Sequence, residues 1–480
     1  MDIQKIVKEN EILELLKKKK KNSTKCSEIE EILLKAKKKA LIQNESQESE
    51  YVQGLDLEDV ATLLSIDASN APLMRRLFET ALEIKQSIYG NRIVLFAPLY
   101  ISNWCSGSCL YCGFRSSNRT VQRKILEKQE IVEEVKTLQG QGHKRILMLC
   151  GDHPKYPFDR FLEDLEIVSS IKTQPHGEIR RINVEIPSLD DEQFKKLKES
   201  DKIGTYTLFQ ETYHKKTFEK MHPRGPKSDY LWRLETMNRA QRNGIDDVGI
   251  GVLFGLYDYR FETLALLMHA QYLYKNFGTG PHTISIPRIQ AAPHTPCSIA
   301  PPYPVDDINF KKIVAILRCA VPYTGIILST RENPSIRKDL YSLGVSQISA
   351  GSKTEPGGYN QTNQQGIQFS LNDNRSAEEV IYELIELGYI PSWCTACYRL
   401  GRTGKKFMDL AKCGRIQNFC QPNALLTLSE YLMDYANEKT QKIGWNLIES
   451  ETKKIPSKIK KQAFLRKMEE IKNHVRDLYF

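Results

Sequence analysis

Three cysteines fall within eight residues of the segment NWCSGSCLYCGFR: Cys105, Cys109 and Cys112. This C-x3-C-x2-C loop brings three thiolates together. Three thiolates can hold three irons of a [4Fe–4S] cluster and leave the fourth open, and an open iron is what a chelating substrate needs. Ser106, Gly107 and Ser108 are small and permissive, as a chain wrapped around a cluster requires. The bland alternative is a partial zinc site or three unrelated thiols. Three Cys so close together, directly after an apolar run, speak against it. A second group lies in SWCTACYRLGRTGKKFMDLAKCGRIQNFCQPNA: Cys394, Cys397 and Cys420, with Cys413 between. With Cys413, four thiolates close a tetrahedral zinc site. Without it, three thiolates hold a second open [4Fe–4S] cluster. The second half is C-x6-C and not the usual zinc C-x2-C, so spacing alone does not decide.

Loops of this kind need strands to present them. From about residue 90 to 352, short β-rich runs alternate with longer amphipathic ones. The runs are RIVLFAPLYIS (from Arg92), RILMLCG (from Arg145), IRRINVEIP (from Ile179), IGTYTLFQE (from Ile203), DDVGIGVLFG (from Asp246), HTISIPRIQ (from His282), YTGIILSTRE (from Tyr323) and VSQISAGS (from Val345). Helix-like segments such as QEIVEEVKTLQ, YRFETLALLMHAQYLYKNFG and DDINFKKIVAILRCA lie between them. Parallel strands joined by right-handed crossovers are implied, and eight is the number that closes a barrel. The predicted fold class is therefore α/β, a (β/α)8 TIM-type barrel; a doubly wound open sheet is the alternative, which the count disfavours.

Reactive groups of such a barrel sit just after its strands, at the C-terminal face. Cys105 follows the first run, and Gly151 and Asp152 the second. Glu211 ends the fourth, Arg288 the sixth, and Ser329 and Arg331 the seventh. A bound amino acid needs a cation for its carboxylate, and the planar fork of Arg331 suits that, with Ser329 two residues away on the same side of the strand. The bland reading of Arg331 is a surface pair with Glu332. The expected domains are a helical extension over 1–88, the barrel over 89–352 and a helical, cluster-binding C-terminal domain over 353–480. Residues 353–375, polar and rich in Gly, Asn and Gln, read as a linker or mobile loop. A helix capped by Asp258 and ended by Gly278 carries His269.

The C-x3-C-x2-C loop with Tyr111 before its last Cys resembles the signature of radical S-adenosylmethionine (SAM) enzymes. C-x2-C-x22-C followed by QPNA is similar to the C-terminal element of the HydG family of tyrosine lyases. The likeness spans roughly residues 90 to 430 and takes in GTYTLFQETYH, GIDDVGIGVLFGLYDYRFE, GPHTISIPR and VPYTGIILSTRE. It implies two [4Fe–4S] clusters, SAM on the open iron of the first, and an additional iron on the second. It implies a lyase that breaks the Cα–Cβ bond of L-tyrosine to p-cresol and dehydroglycine. Dehydroglycine then yields CO and cyanide for an iron synthon of the [FeFe]-hydrogenase H-cluster. Tyr111 would lie near the adenine. MLCGDHP (148–154) resembles a Gly-Gly-Glu-type element, with Cys150 and Asp152 where that pattern has Gly and Glu, so Asp152 would meet the SAM amino group unless it is a turn residue. Glu211 and Arg288 would contact SAM, and Arg331 and Ser329 the tyrosine carboxylate. His269 would ligate the extra iron, although a second family His three residues on falls at Tyr272 here; His282 is the other histidine open to that role. Cys413 would be a bystander.

The chain has 480 residues, 40% of them hydrophobic, enough for a sizeable core, and a formal net charge of +10. Its Lys-rich runs read as solvated helix faces, and no nucleic-acid signature accompanies them. No apolar stretch approaches a membrane span. The MDIQKIVKENEILELL start reads as a helix and not as a targeting peptide. A cytoplasmic enzyme is expected, with a flavodoxin or ferredoxin as low-potential electron donor and other hydrogenase maturation proteins as partners. The competing enzyme reading is the tyrosine lyase of thiamine synthesis, which lacks the C-terminal triad. A non-catalytic zinc- or nucleic-acid-binding protein is the third, and it leaves the first triad unexplained.

Overall fold

The computed structural model describes residues 6–21, 25–40, 54–361, 365–412, 416–455 and 457–480. Cys413 lies outside the described residues. Eight parallel strands form the barrel: β1 (Arg92–Ser102), β2 (Arg145–Cys150), β3 (Arg181–Glu185), β4 (Ile203–Thr207), β5 (Val248–Gly251), β6 (Thr283–Ser285), β7 (Gly325–Leu328) and β8 (Gln347–Ser349). Each falls inside one of the eight predicted runs. They read as nearly continuous apolar stretches because a parallel strand is buried on both faces. The sheet closes where Val94, Leu95 and Phe96 of β1 face Gln347, Ile348 and Ser349 of β8.

Helices follow the strands, as crossovers demand. The helix Tyr259–Phe277 has the predicted ends: the Asp258 side chain accepts from the Arg260 N–H, and Gly278 stops it at φ 71°. Ahead of the barrel come α1 (Glu9–Lys21), α2 (Cys26–Ala40), α3 (Leu57–Leu64) and α4 (Ala71–Tyr89). Helix α4 starts at an Asn70 cap with Pro72 in its first turn and packs on the helices Asp307–Ala320 and Pro334–Leu343. Its Lys85 is buried and donates to the Tyr341 carbonyl (2.7 Å).

Two features depart from expectation. A ninth strand, β9 (Ile390–Ser392), joins the start of β1, pairing Arg92, Ile93 and Val94 with Ile390, Pro391 and Ser392. The C-terminal region is therefore tied into the barrel sheet, and it continues in the helices Gln417–Asp434, Glu438–Lys453 and Lys458–Lys472. The described parts of the stretch read as a linker, 353–361 and 365–375, instead form a strap across the barrel mouth. The N–H groups of Gly113, Gln122 and Ser370 pair with Gln368 O (2.9 Å), Gln365 O (3.0 Å) and Ala291 O (2.8 Å). The buried Glu134 receives the backbone N–H groups of Tyr359 and Asn360. Its polar composition reflects backbone pairing with distant loops, not solvation.

Candidate active site

The first cysteine loop leaves the C-terminal end of β1 and is pinned by its neighbours. Ser106 N–H donates to Asp152 O (2.7 Å), Ser108 N–H to Arg224 O (3.1 Å) and Leu110 N–H to Met221 O (3.0 Å). Such close approach needs glycine: a Cβ on Gly151 would lie 2.2 Å from Trp104 O. One on Gly225, at φ 94°, would lie 2.7 Å from Gly107 Cα. Arg123 braces the loop from below, donating to the carbonyls of Asn103 (2.6 Å), Phe114 (2.7 Å) and Arg115 (2.7 Å).

Above the barrel lies a cavity of about 220 Å³. It gathers Cys105, Cys109, Cys112, Tyr111, Asp152, Glu211, Ser329 and Arg331 from four places in the sequence. A Cβ on Gly107 would sit 3.5 Å from Cys105 Sγ and 3.7 Å from Cys109 Sγ, so two sulfurs flank one point. Gly107 N–H approaches Cys105 Sγ (3.4 Å), and Gln368 Nε2 approaches Cys112 Sγ (3.7 Å). Among the described residues no three His, Cys, Asp or Glu side chains close around a single ion. A cubane, ligated at separate corners, needs its thiolates spread apart, and N–H groups aimed at sulfur suit its charge. The donor set fits a cluster. Burial pushes the Cys112 thiol up to about 12, so loading must displace its proton.

Tyr111 shares a hydrogen bond with His222 Nε2 (2.8 Å). Glu211 adopts φ 70° and is ion-paired to Lys227, with Arg233 at 3.5 Å. Burial opposes its charge, but these two cations keep its carboxyl below the ordinary range. Asp152 is half-buried, and its carboxyl is raised by burial. Arg331 stacks on Phe369 of the strap, 3.3 Å from the ring centroid, and its N–H meets Ser329 Oγ (3.4 Å). Glu332, its expected surface partner, is taken by Arg288. Sequence reasoning missed the strap residues Gln368 and Phe369. It also missed Glu185, a cavity carboxyl that burial raises to about 7.

Two expected residues lie elsewhere. Arg288 does not line the cavity; it is ion-paired to Glu332 and to Asp307 (2.8 Å) and donates to Val305 O (2.9 Å). Its Nε, Nη1 and Nη2 are all engaged within the protein. His269 lies in the core, its Nδ1 on Tyr213 Oη (2.8 Å), and burial lowers it to about 3, which keeps it neutral. Its helix packs against α1 and α3, and it lines neither cysteine pocket.

The second triad lies at the opposite, N-terminal end of the barrel. Cys394 follows β9, Cys397 sits in the short helix Ala396–Arg399, and Cys420 in Gln417–Asp434. All three line a cavity of about 60 Å³ together with Arg92, Arg145, Arg181 and His282. Cys397 and Cys420 are close enough to share a hydrogen bond. Arg92 Nε, Arg145 Nε, Arg402 Nε and Thr395 Oγ1 are buried and have no hydrogen-bond partner among the described residues. Orphaned cationic donors around three thiols fit an anionic iron–sulfur cluster. The signal was present: β1 and β2 both open with an arginine, and so does β3. His282, not His269, is the histidine here, its ring 4.8 Å from Phe407 and its Nδ1 3.7 Å from Asp247.

Arg181, which lines the second cavity, bonds Asn183 (3.0 Å), which lines the first, and also Thr205 (2.8 Å) and Asp247 (3.2 Å). No helix among the described residues is long and apolar enough to cross a membrane.

Comparison with known proteins matches the same elements. Residues 99–269 fit the model of the radical SAM superfamily, and 285–390 that of the biotin and thiamin synthesis associated domain, which runs across the expected boundary at 352. The 2-iminoacetate synthase of Escherichia coli (strain K12) is 32% identical over 356 residues, 73% of this chain and 90% of that protein. The crystal structure of HydG, a maturase of the [FeFe]-hydrogenase, superposes with a TM-score of 0.92 at 47% identity, over 99% of this chain and 100% of that one. The HydG of Carboxydothermus hydrogenoformans gives 0.82 at 39%, over 98% and 100%. The chain belongs to the radical SAM superfamily and, within it, to the lyase family that holds HydG and 2-iminoacetate synthase.

Proposed function

We propose that this chain is a HydG-type tyrosine lyase that makes CO and cyanide from L-tyrosine for an iron synthon of the [FeFe]-hydrogenase H-cluster. The observation that carries the reading is the pair of three-cysteine pockets at opposite ends of one barrel. A lyase of the thiamine-pathway type has use for the upper one alone.

Cys105, Cys109 and Cys112 would hold a [4Fe–4S] cluster, which with SAM would supply a 5′-deoxyadenosyl radical when reduced. The protein's own groups do the positioning. Tyr111 borders the adenine, Asp152 takes the SAM amino group, and Glu211, charged through Lys227 and Arg233, contacts the same molecule. The Arg331 fork grips the tyrosine carboxylate with Ser329 beside it. This presents the amino group, from which hydrogen is removed before the Cα–Cβ bond breaks. The strap, with Phe369 and Gln368, closes the mouth and keeps water from the radical. Cys394, Cys397 and Cys420 would hold a second cluster, His282 would be the histidine for an additional iron on it, and that iron would supply the binding site for CO and cyanide. A flavodoxin or ferredoxin supplies electrons, and other maturation proteins receive the synthon, in the cytoplasm.

The test is anaerobic reconstitution with iron and sulfide, followed by SAM, tyrosine and a reductant. p-Cresol together with CO is expected. p-Cresol without CO would favour the thiamine-type lyase, and neither product would overturn both readings.

A further inference from the structure

The inner face of β3 carries three polar side chains in step. Arg181, Asn183 and Glu185 alternate with Ile182 and Val184, which are buried in the main hydrophobic core, so every second residue points into the barrel. Arg181 lines the second cavity, and Asn183 and Glu185 line the first. Glu185 ends the strand, paired with Leu149 of β2. It is half-buried, and the surface it keeps faces the cavity.

Three carboxylates line that cavity: Asp152, Glu185 and Glu211. Glu211 is paired with Lys227 and Arg233. Asp152 lies beside the cysteine loop, its carbonyl bonded to Ser106 N–H. Glu185 has no hydrogen bond and no ion pair among the described residues. Arg331 is its counterpart, a cavity cation with an aromatic face but no carboxylate. The two lie within electrostatic reach: burial and the nearby Glu211 raise the Glu185 carboxyl, and Lys227, Arg331 and Arg233 pull it back. An enclosed carboxylate without a donor is costly unless a ligand supplies one. One free anion and one free cation in a single cavity match the two charges of an amino-acid zwitterion, whose ammonium and carboxylate share one carbon.

We infer that Glu185 is a catalytic residue that receives the ammonium of the bound amino acid and takes one of its protons. The inference rests on the tyrosine-lyase reading above. One N–H bond breaks and one O–H bond forms, so the ammonium and the carboxylate become a neutral amine and a neutral carboxylic acid, with charge conserved. Hydrogen-atom removal is far harder from an ammonium, whose nitrogen has no lone pair, than from the neutral amine. Glu185 therefore acts as a general base that prepares the amino group for hydrogen removal, while Arg331 fixes the carboxylate beside it. The competing donor is the phenol hydroxyl. It carries no charge and would leave the enclosed carboxylate uncompensated.

The test uses the cluster-loaded full chain with SAM. Without reductant, calorimetry compares three ligands: L-tyrosine, 3-(4-hydroxyphenyl)propionate, which lacks the ammonium, and L-phenylalanine, which lacks the hydroxyl. In Glu185→Gln, a nearly isosteric change, the preference for tyrosine over the propionate should fall about thirty-fold. The preference for tyrosine over phenylalanine should stay within about two-fold. With reductant, p-cresol formation by this variant should drop about a hundred-fold, with iron content as the control for an intact site. Glu185→Asp, which keeps the charge, should retain part of both. An undiminished preference for tyrosine over the propionate overturns the contact. Collapse of the phenylalanine comparison in its place assigns Glu185 to the hydroxyl and overturns it too. Normal p-cresol from a Gln variant that has lost the binding preference overturns the proton transfer. Should neither variant fold, the unmodified protein still decides, because equal affinity for tyrosine and the propionate leaves the ammonium without a partner. Neither tyrosine binding nor p-cresol in the unmodified protein would sink the tyrosine-lyase reading instead, a result distinct from all of these.

Discussion

Arg331 offers the sharpest test of substrate recognition. Its guanidinium lines the cavity, stacks on Phe369 and has no carboxylate within ion-pair distance among the described residues, since Glu332 is held by Arg288. A substrate carboxylate would complete a bidentate, charge-assisted pair in a site largely shielded from water. Truncating one partner of such a pair costs about 3 kcal/mol, or about 150-fold in kcat/KM. Arg331→Lys keeps the charge but loses the fork, and should cost about ten-fold. Phe369→Ala removes the aromatic face and should cost about 1 kcal/mol, roughly five-fold. The assay is the initial rate of p-cresol formation against tyrosine concentration, with tyrosine-independent SAM cleavage as the control for an intact site. Tyramine, which lacks the carboxylate, provides the internal check: the preference for tyrosine over tyramine should collapse in Arg331→Ala. A tyrosine KM within two-fold of the unmodified protein, or an undiminished preference over tyramine, would refute the assignment.

Replacing Cys105, Cys109 or Cys112 by Ala should abolish SAM cleavage and lower iron content; retained cleavage would move the first cluster elsewhere. Replacing Cys394, Cys397 or Cys420 should spare p-cresol and remove CO, and so should His282→Ala, whereas His269→Ala should keep both products and lower the melting temperature. Normal CO from the His282 variant would return the iron ligand to the search. Glu262 is buried, accepts from Tyr213 N–H (2.9 Å) and from Thr212, and has its carboxyl raised by burial to about 8. The unfolded chain loses that proton near 4.5 and the folded one near 8. This group therefore reduces stability as pH climbs between the two, by roughly 1.4 kcal/mol per pH unit at most. Glu262→Gln should accordingly gain on the unmodified protein in thermal melts from pH 5.5 to 8; a pH-independent difference would count against the raised value.

What the sequence by itself determined was local. The cysteine spacings, the eight apolar runs and the Asp258 and Gly278 helix ends are properties of a few consecutive residues, and backbone sterics read them the same way wherever they lie. Tertiary structure decided which distant residues share a site. His269 and His282 are alike as isolated histidines. One falls on a helix buried from Phe261 to Ala270 and becomes a neutral core group. The other precedes β6, at the barrel end where β9 brings the second triad. Arg288 and Arg331 both close barrel strands, yet only the first meets two carboxylates and is neutralised. The strap of 353–361 and 365–375 looked unstructured because many of its backbone partners are loops far away in sequence. Their pairing is fixed only when the barrel closes, and no periodicity within the strap encodes it.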